Sequence, residues 1–213
     1  MNSLVSLFAH LFALALLSAH PLSGTPAATD VFIPGDEGYF RYRIPAVIRA
    51  ANGDLLAFCE GRKLSGDDHG DVDLVMKRST DNGRSWGPLE IIWVDGANTC
   101  GNPCPVLDRT TGTLWLLLTH NLGGDREQAI MQGRAEGSRT VWLTFSTDHG
   151  RTWAKPTEVT SSTKDPRWGW YATGPGVGIQ VQEGTHAGRL LVPCNHSYLD
   201  LETGRPRYGA HVI

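Results

Sequence analysis

One eight-residue stretch of this chain occurs twice. Ser79-Thr80-Asp81-Asn82-Gly83-Arg84-Ser85-Trp86 returns 67 residues later as Ser146-Thr147-Asp148-His149-Gly150-Arg151-Thr152-Trp153. Six of the eight positions are identical and a seventh exchanges Ser for Thr, which marks an internal repeat. A repeat restricts the fold to architectures that set one supersecondary unit beside the next. Between strands, Asp-X-Gly suits a tight turn: Gly83 and Gly150 can take positive φ, and Asp81 and Asp148 can accept backbone amides, as can Ser79 and Ser146. Trp86 and Trp153 are large apolar plugs suited to pinning a hairpin to its sheet. A feature present once per unit reads as a folding element, because an active site occurs once per molecule.

The segments around the two copies follow one order. Ile44–Arg49, a turn at Ala51–Asp54, Leu55–Glu60 and Asp71–Arg78 lead into the first copy, and Leu89–Val94 follows it. Pro105–Asp108, a turn at Thr110–Gly112, Thr113–Thr119 and Thr140–Phe145 lead into the second. Short apolar or alternating runs bounded by Gly, Asn and Asp are strand signals. Four antiparallel strands per repeat with little helix predict an all-β chain built of β-propeller blades. A third pass begins near Gly176–Val181, turns near Gly184 and continues to Ile213, so about three blades are expected. A third copy of the repeat falls due at the last residue, and the expectation is the N-terminal part of a longer propeller.

With 213 residues, a formal net charge of −3, 25 Gly and seven Trp, the composition suits a folded domain of short strands and tight turns. It carries no basic footprint for nucleic acid. Residues 1–20 hold an apolar run from Leu4 to Leu17 followed by Ser18-Ala19, too short to span a bilayer and read as a secretion signal. Residues 21–30 read as a linker, and residues 31–213 as the folded domain. The expectation is a secreted or periplasmic protein with no stable membrane partner. Cys59, Cys100, Cys104 and Cys194 make neither a disulfide framework nor a zinc set, since no second Cys or His pair accompanies Cys100-X-X-X-Cys104. No metal and no cofactor is expected. His69, His120 and His196 have no partner at useful spacing.

Ser-X-Asp-X-Gly-X-X-Trp resembles the Asp-box of the sialidase (neuraminidase) superfamily, whose propellers have six blades. The box alone identifies architecture better than activity. Further motifs extend the resemblance over roughly residues 39–212. Tyr42-Arg43-Ile44-Pro45 resembles the Phe/Tyr-Arg-Ile-Pro motif of exo-sialidases, and Asp68-His69-Gly70-Asp71-Val72 resembles their acid/base loop. Asn102-Pro103-Cys104-Pro105, Thr173-Gly174-Pro175-Gly176 and Val192-Pro193-Cys194-Asn195-His196 resemble segments of bacterial-type members.

The resemblance implies an exo-α-sialidase acting on sialylated glycans. Arg43 would grip the sugar carboxylate, for which a planar, permanently charged guanidinium is suited. Asp68 would be the acid/base, with Asp67 as the alternative because a one-residue gap exchanges them. Asp71 and Asp73 would orient the loop or face solvent. Arg62 would assist at the carboxylate or form a structural ion pair. Tyr171 would stack on the substrate or fill the space between blades. Sialidases use a Tyr nucleophile because a carboxylate would be repelled by the one on the anomeric carbon. The resemblance puts that Tyr, its Glu partner and two more arginines in later blades, and none of the five tyrosines here is assigned to the role. The alternative is a non-catalytic Asp-box propeller that binds carbohydrate or protein. A third possibility, a glycosidase with paired carboxylates acting on a neutral glucan, leaves Arg43 without a purpose.

Overall fold

A computed structural model describes residues 28–213. The expected secretion signal and most of the expected linker lie outside the described residues. The described residues fold into strands with two short helices. In order these are β1 (Arg41–Arg49), β2 (Leu55–Arg62), β3 (Val72–Ser79), β4 (Glu90–Trp93), β5 (Thr99–Leu107), β6 (Leu114–Asn121), α1 (Glu127–Met131), β7 (Thr140–Ser146) and β8 (Thr157–Glu158). Then follow α2 (Thr160–Thr163), β9 (Tyr171–Thr173), β10 (Ile179–Gln180), β11 (Leu190–Leu191), β12 (Pro193–Leu199) and β13 (Pro206–Val212). Among the described residues no helix is long and apolar enough to cross a membrane.

β1 to β4 pair in sequence as one antiparallel quartet, and β5 to β8 as a second. A single parallel bridge, Val72 to Thr99, joins them. In the third unit β12 lies between β9 and β13, while β10 and β11 make a separate hairpin. This third unit starts at Tyr171, ahead of the expected Gly176, and β5 starts at Thr99, well ahead of the expected Pro105. Proline usually interrupts a strand, yet β1 and β5 each pass through one at a bulge, while β9 ends two residues before Pro175. The register shifts between Arg43 and Ala46 in β1 and between Gly101 and Cys104 in β5. At each of three equivalent points the residue before the proline takes positive φ: Ile44 at 55°, Asn102 at 51° and Gly174 at 76°. A β-branched residue before proline strongly disfavours that conformation, so the fold holds Ile44 there against local preference.

The apolar runs supply two cores between units. Leu56, Phe58, Leu74, Met76, Leu114, Leu116 and Leu118 fill the space between the first and second sheets. Cys104, Val106, Leu117, Val141, Tyr171, Val192 and Cys194 fill that between the second and third. Cys100 belongs to the first core and Cys104 to the second, so the two thiols of that motif serve different layers. All four cysteines are free and buried, and burial pushes Cys59 and Cys104 up to about 12.

The two Asp-boxes have matching geometry. Ser79 Oγ accepts from Gly83 N at 2.8 Å and donates to Asp81 Oδ1 at 2.8 Å; Ser146 does the same with Gly150 N at 2.8 Å and Asp148 Oδ1 at 2.7 Å. Asp81 accepts from both Oγ and N of Ser85, and Asp148 from both Oγ1 and N of Thr152, which holds each carboxyl well below its usual range. Trp153 reaches back to the first sheet, edge-on to Phe58 with ring centroids 5.6 Å apart. Trp86 is half-buried.

Candidate functional site

The three proline-containing points converge on one cavity. Ile44, Asn102 and Pro175 line it with Glu60, Arg62, Asp68, Arg139, Trp170, Ala172 and Asn195, around a volume of about 220 Å³. Each sheet contributes to the wall, so the cavity depends on how the units are set together.

Glu60 and Arg62 face the cavity from the end of β2 and are 2% and 5% exposed. Arg62 donates from Nε and Nη2 to Glu60 Oε2, at 3.0 and 2.6 Å, and from Nη1 to Gly66 O at 2.5 Å. Its third bond ties down the loop from Lys63 to Asp71 that carries Asp68. Lys63 closes the same loop through ion pairs to Asp71 at 2.9 Å and Asp73 at 3.0 Å. Asp73 also accepts from Tyr39 Oη at 2.8 Å. Asp71 and Asp73 therefore orient the loop.

Asp68 lines the cavity, 3.5 Å from His69 Nδ1. Asp67 is exposed and lines a neighbouring recess with Ser65 and His69. The loop thus places Asp68 in the cavity with Arg139 and Asp67 in the neighbouring recess, and Arg62 lines both. Arg43 sits in β1 opposite Glu60, immediately before the bulge, and its side chain is exposed. Among the described residues it makes no ion pair, and it is not among the side chains that line the cavity, which its neighbour Ile44 reaches.

Tyr171 is placed elsewhere. It is fully buried between the second and third sheets, with its hydroxyl 3.0 Å from His211 Nε2. Of the two expectations for this residue, its place in the second core agrees with the filling of the space between units, and it is not among the side chains that line the cavity. Burial raises its phenol well above the usual value.

Several cavity residues escaped sequence reasoning. Arg139, on the approach to β7, is 1% exposed and lies over the ring of Trp170 at 3.9 Å. Burial pushes its guanidinium down to about 10, against the pull of Glu60, Asp68 and Glu127. Glu127 of α1 is itself raised, by burial first and by the charge of Asp68 second. Lys164 is pushed down to about 8 by burial and then by Arg139, and it donates to Ser138 Oγ, Arg139 O and Gly169 O at 2.7–2.8 Å. The only sequence signal for Arg139 was a lone arginine next to a strand, which on type alone reads as surface. His120 and His196 also have partners, Asp95 at 2.7 Å and His211 at 3.0 Å, supplied by the loop after β4 and by β13.

The arrangement offers one half-buried carboxyl, a buried cation, a buried ion pair and two carboxamides around a space of sugar-ring dimensions. Among the described residues no group of three or more metal-ligating side chains occurs.

Comparison with known proteins agrees with this architecture. Residues 53–212 match the family described as BNR repeat-like domain. An exo-alpha-sialidase of Aspergillus fumigatus is 38% identical over 173 residues, which are 73% of this chain and 41% of that protein. A sialidase of Micromonospora viridifaciens is 34% identical over 185 residues, 80% of this chain and 28% of that protein. Among solved structures, the Hadza microbial sialidase Hz136 superposes with a TM-score of 0.70 at 29% identity, over 84% of this chain and 36% of that one. A leech intramolecular trans-sialidase, 15% identical with a TM-score of 0.66, shares the fold. The chain spans about two-fifths of the length of the first of these curated relatives. On its repeat, its motifs and these matches, the chain belongs to the sialidase superfamily and carries its BNR repeat-like domain.

Proposed function

We propose that the three sheets are consecutive blades of a β-propeller and that their shared cavity is the acid-bearing side of an exo-α-sialidase site. The observation that carries this is the position of Asp68: it lines the cavity with Arg139, and Asp67 does not. In this reading Asp68 protonates the departing glycosidic oxygen and then takes a proton from the attacking water. Arg43, with no carboxylate partner among the described residues, offers its fork to the carboxylate of a terminal sialic acid. Three of the five N–H donors of Arg62 go to Glu60 and Gly66, which ties this residue to the loop.

The tyrosines support a division of labour. Tyr39, Tyr42 and Tyr171 are hydrogen-bonded and have phenols raised by burial, with Tyr42 pushed up to about 12. A nucleophilic phenol needs the opposite shift. Neither Tyr198 nor Tyr208 lines the cavity beside Asp68. The 213-residue chain by itself is therefore expected to bind sialic acid and not to turn over a sialoside. Saturation-transfer NMR with N-acetylneuraminic acid, run beside an aryl sialoside assay, tests both halves. No binding above that of a neutral hexose would reject the site, and turnover would reject the residue assignment.

A further inference from the structure

The cavity floor holds a charged side chain to which the proposed reaction gives no task. Among the described residues no carboxylate stands within ion-pair distance of Arg139. Three neutral oxygens take its N–H groups: Nε donates to Tyr171 O at 3.0 Å, Nη1 to Asn121 Oδ1 and Nη2 to Asn102 Oδ1. Burying a cation against neutral acceptors costs several kcal/mol in desolvation, whereas an apolar side chain would fill the same space without that cost.

The network closes on Asn102. Its N–H donates to Glu60 Oε1 at 2.9 Å, its carbonyl accepts from Thr173 Oγ1 at 2.5 Å, and its Oδ1 accepts from Thr119 Oγ1 at 3.0 Å as well as from Arg139. Residues of all three sheets thus hold one residue, itself at φ 51°. Two donors on Oδ1 prevent the carboxamide from turning over. Its Nδ2 has no partner among the described residues, and Asn102 lines the cavity.

We propose that Arg139 is a positioning residue: through Asn102 Oδ1 it locks the carboxamide, so that Asn102 Nδ2 is a fixed hydrogen-bond donor to an acceptor oxygen of the bound sugar. A donor fixed before binding loses no freedom on binding and gains affinity for that reason. The fork explains the residue type. Lysine carries the same charge at a point, and cannot reach acceptors on β5, β6 and β9 at once. The ligand's being a sialic acid rests on the function proposed above, whereas the locking of Asn102 does not.

The 213-residue chain, uniformly labelled with 15N, provides the test. The Asn102 side-chain amide should give a heteronuclear NOE as high as that of the surrounding backbone. In Arg139→Met and in Arg139→Lys that NOE should drop while the backbone values of β5 stay unchanged. Affinity for N-acetylneuraminic acid should fall about tenfold in Arg139→Met and in Asn102→Ala, and no further in the double variant. A carboxamide that stays rigid in both Arg139 variants, or losses that add in the double variant, would overturn the proposal. If Arg139→Met does not fold, Arg139→Lys carries both readouts. Should the unaltered chain bind no sialic acid while the Arg139 variants loosen Asn102, the functional reading fails and the positioning role stands.

Discussion

Arg78 and Gly150 lie 72 positions apart, and Nη2 of the arginine donates to the glycine carbonyl at 2.8 Å. Nη1 of the same side chain donates to His149 O at 2.9 Å and to Asp54 Oδ2 at 3.0 Å. A single arginine of the first sheet thus clamps the second Asp-box onto that sheet, with side chains only 13% and 12% exposed at the ion pair. Arg78→Met would leave two carbonyls and a carboxylate short of partners. The expected loss is about 2–3 kcal/mol of unfolding free energy, measured by urea titration. A loss under about 0.5 kcal/mol, typical of a surface position, would mean that the clamp contributes nothing.

The two boxes share their internal geometry but not their surroundings, and alanine at their glycines separates the two effects. Gly83 has φ 87° and open space, with Leu55 Cδ1 3.5 Å from the site of a Cβ. Gly150 has φ 79°, and a Cβ would lie 2.6 Å from Leu56 Cδ1. Gly83→Ala should cost about 1 kcal/mol, for the left-handed backbone alone. Gly150→Ala should cost about 1–3 kcal/mol more, because it overpacks the seam between sheets. Equal losses in thermal unfolding would show that the seam yields and that the box acts only as a turn.

What the sequence made legible follows from what is local. The Asp-boxes, the strand pairs and the Asp68 loop are encoded by neighbours in the chain, so Gly83, Asp81 and Leu55–Arg62 can be read without a structure. The first strands of the first two units begin ahead of where the sequence places them, because Pro45 and Pro103 are breakers by local rules and become bulges only when adjacent strands hold them. The same holds for the site. Asp68 could be found from a contiguous motif, whereas the bonds of Asn102 run to Glu60, Thr119, Arg139 and Thr173, which no spacing rule connects. Tyr171 left two readings open in the sequence, because its burial is set by Val106 of β5, Leu117 of β6 and Val192 between β11 and β12, which no local rule supplies.

The choice between Asp67 and Asp68 can be tested on the chain itself. Only Asp68 lines the cavity, so N-acetylneuraminic acid should move the carboxyl 13C resonance of Asp68 and leave that of Asp67 in place. Asp67→Asn, an exposed change, should alter affinity less than about twofold. A ligand-induced shift at Asp67 alone would transfer the proposed acid role to it.

Acid lability should reside in the third sheet. His196 Nδ1 and His211 Nδ1 are 3.0 Å apart, the ring of Trp168 stacks on His196 at 3.6 Å, and Tyr171 Oη bonds His211 Nε2 at 3.0 Å. One proton can bridge two facing ring nitrogens and two cannot, so the pair accepts a single positive charge. Burial lowers both histidines; Asp165 pulls His196 back up, while the charge of His196 lowers His211 further. Because the folded values lie below the unfolded ones, the unfolded chain binds more protons as pH falls through about 6.5. The pair's contribution to stability is thus whole above that pH and is lost progressively as pH falls through the lower, folded values. Urea midpoints should drop between about pH 7.5 and pH 5.5 by the equivalent of roughly 1 kcal/mol. In His211→Gln, which keeps a donor and an acceptor but cannot titrate, the drop should shrink by at least half. An unchanged drop in that variant would place the acid-sensitive group outside β12 and β13.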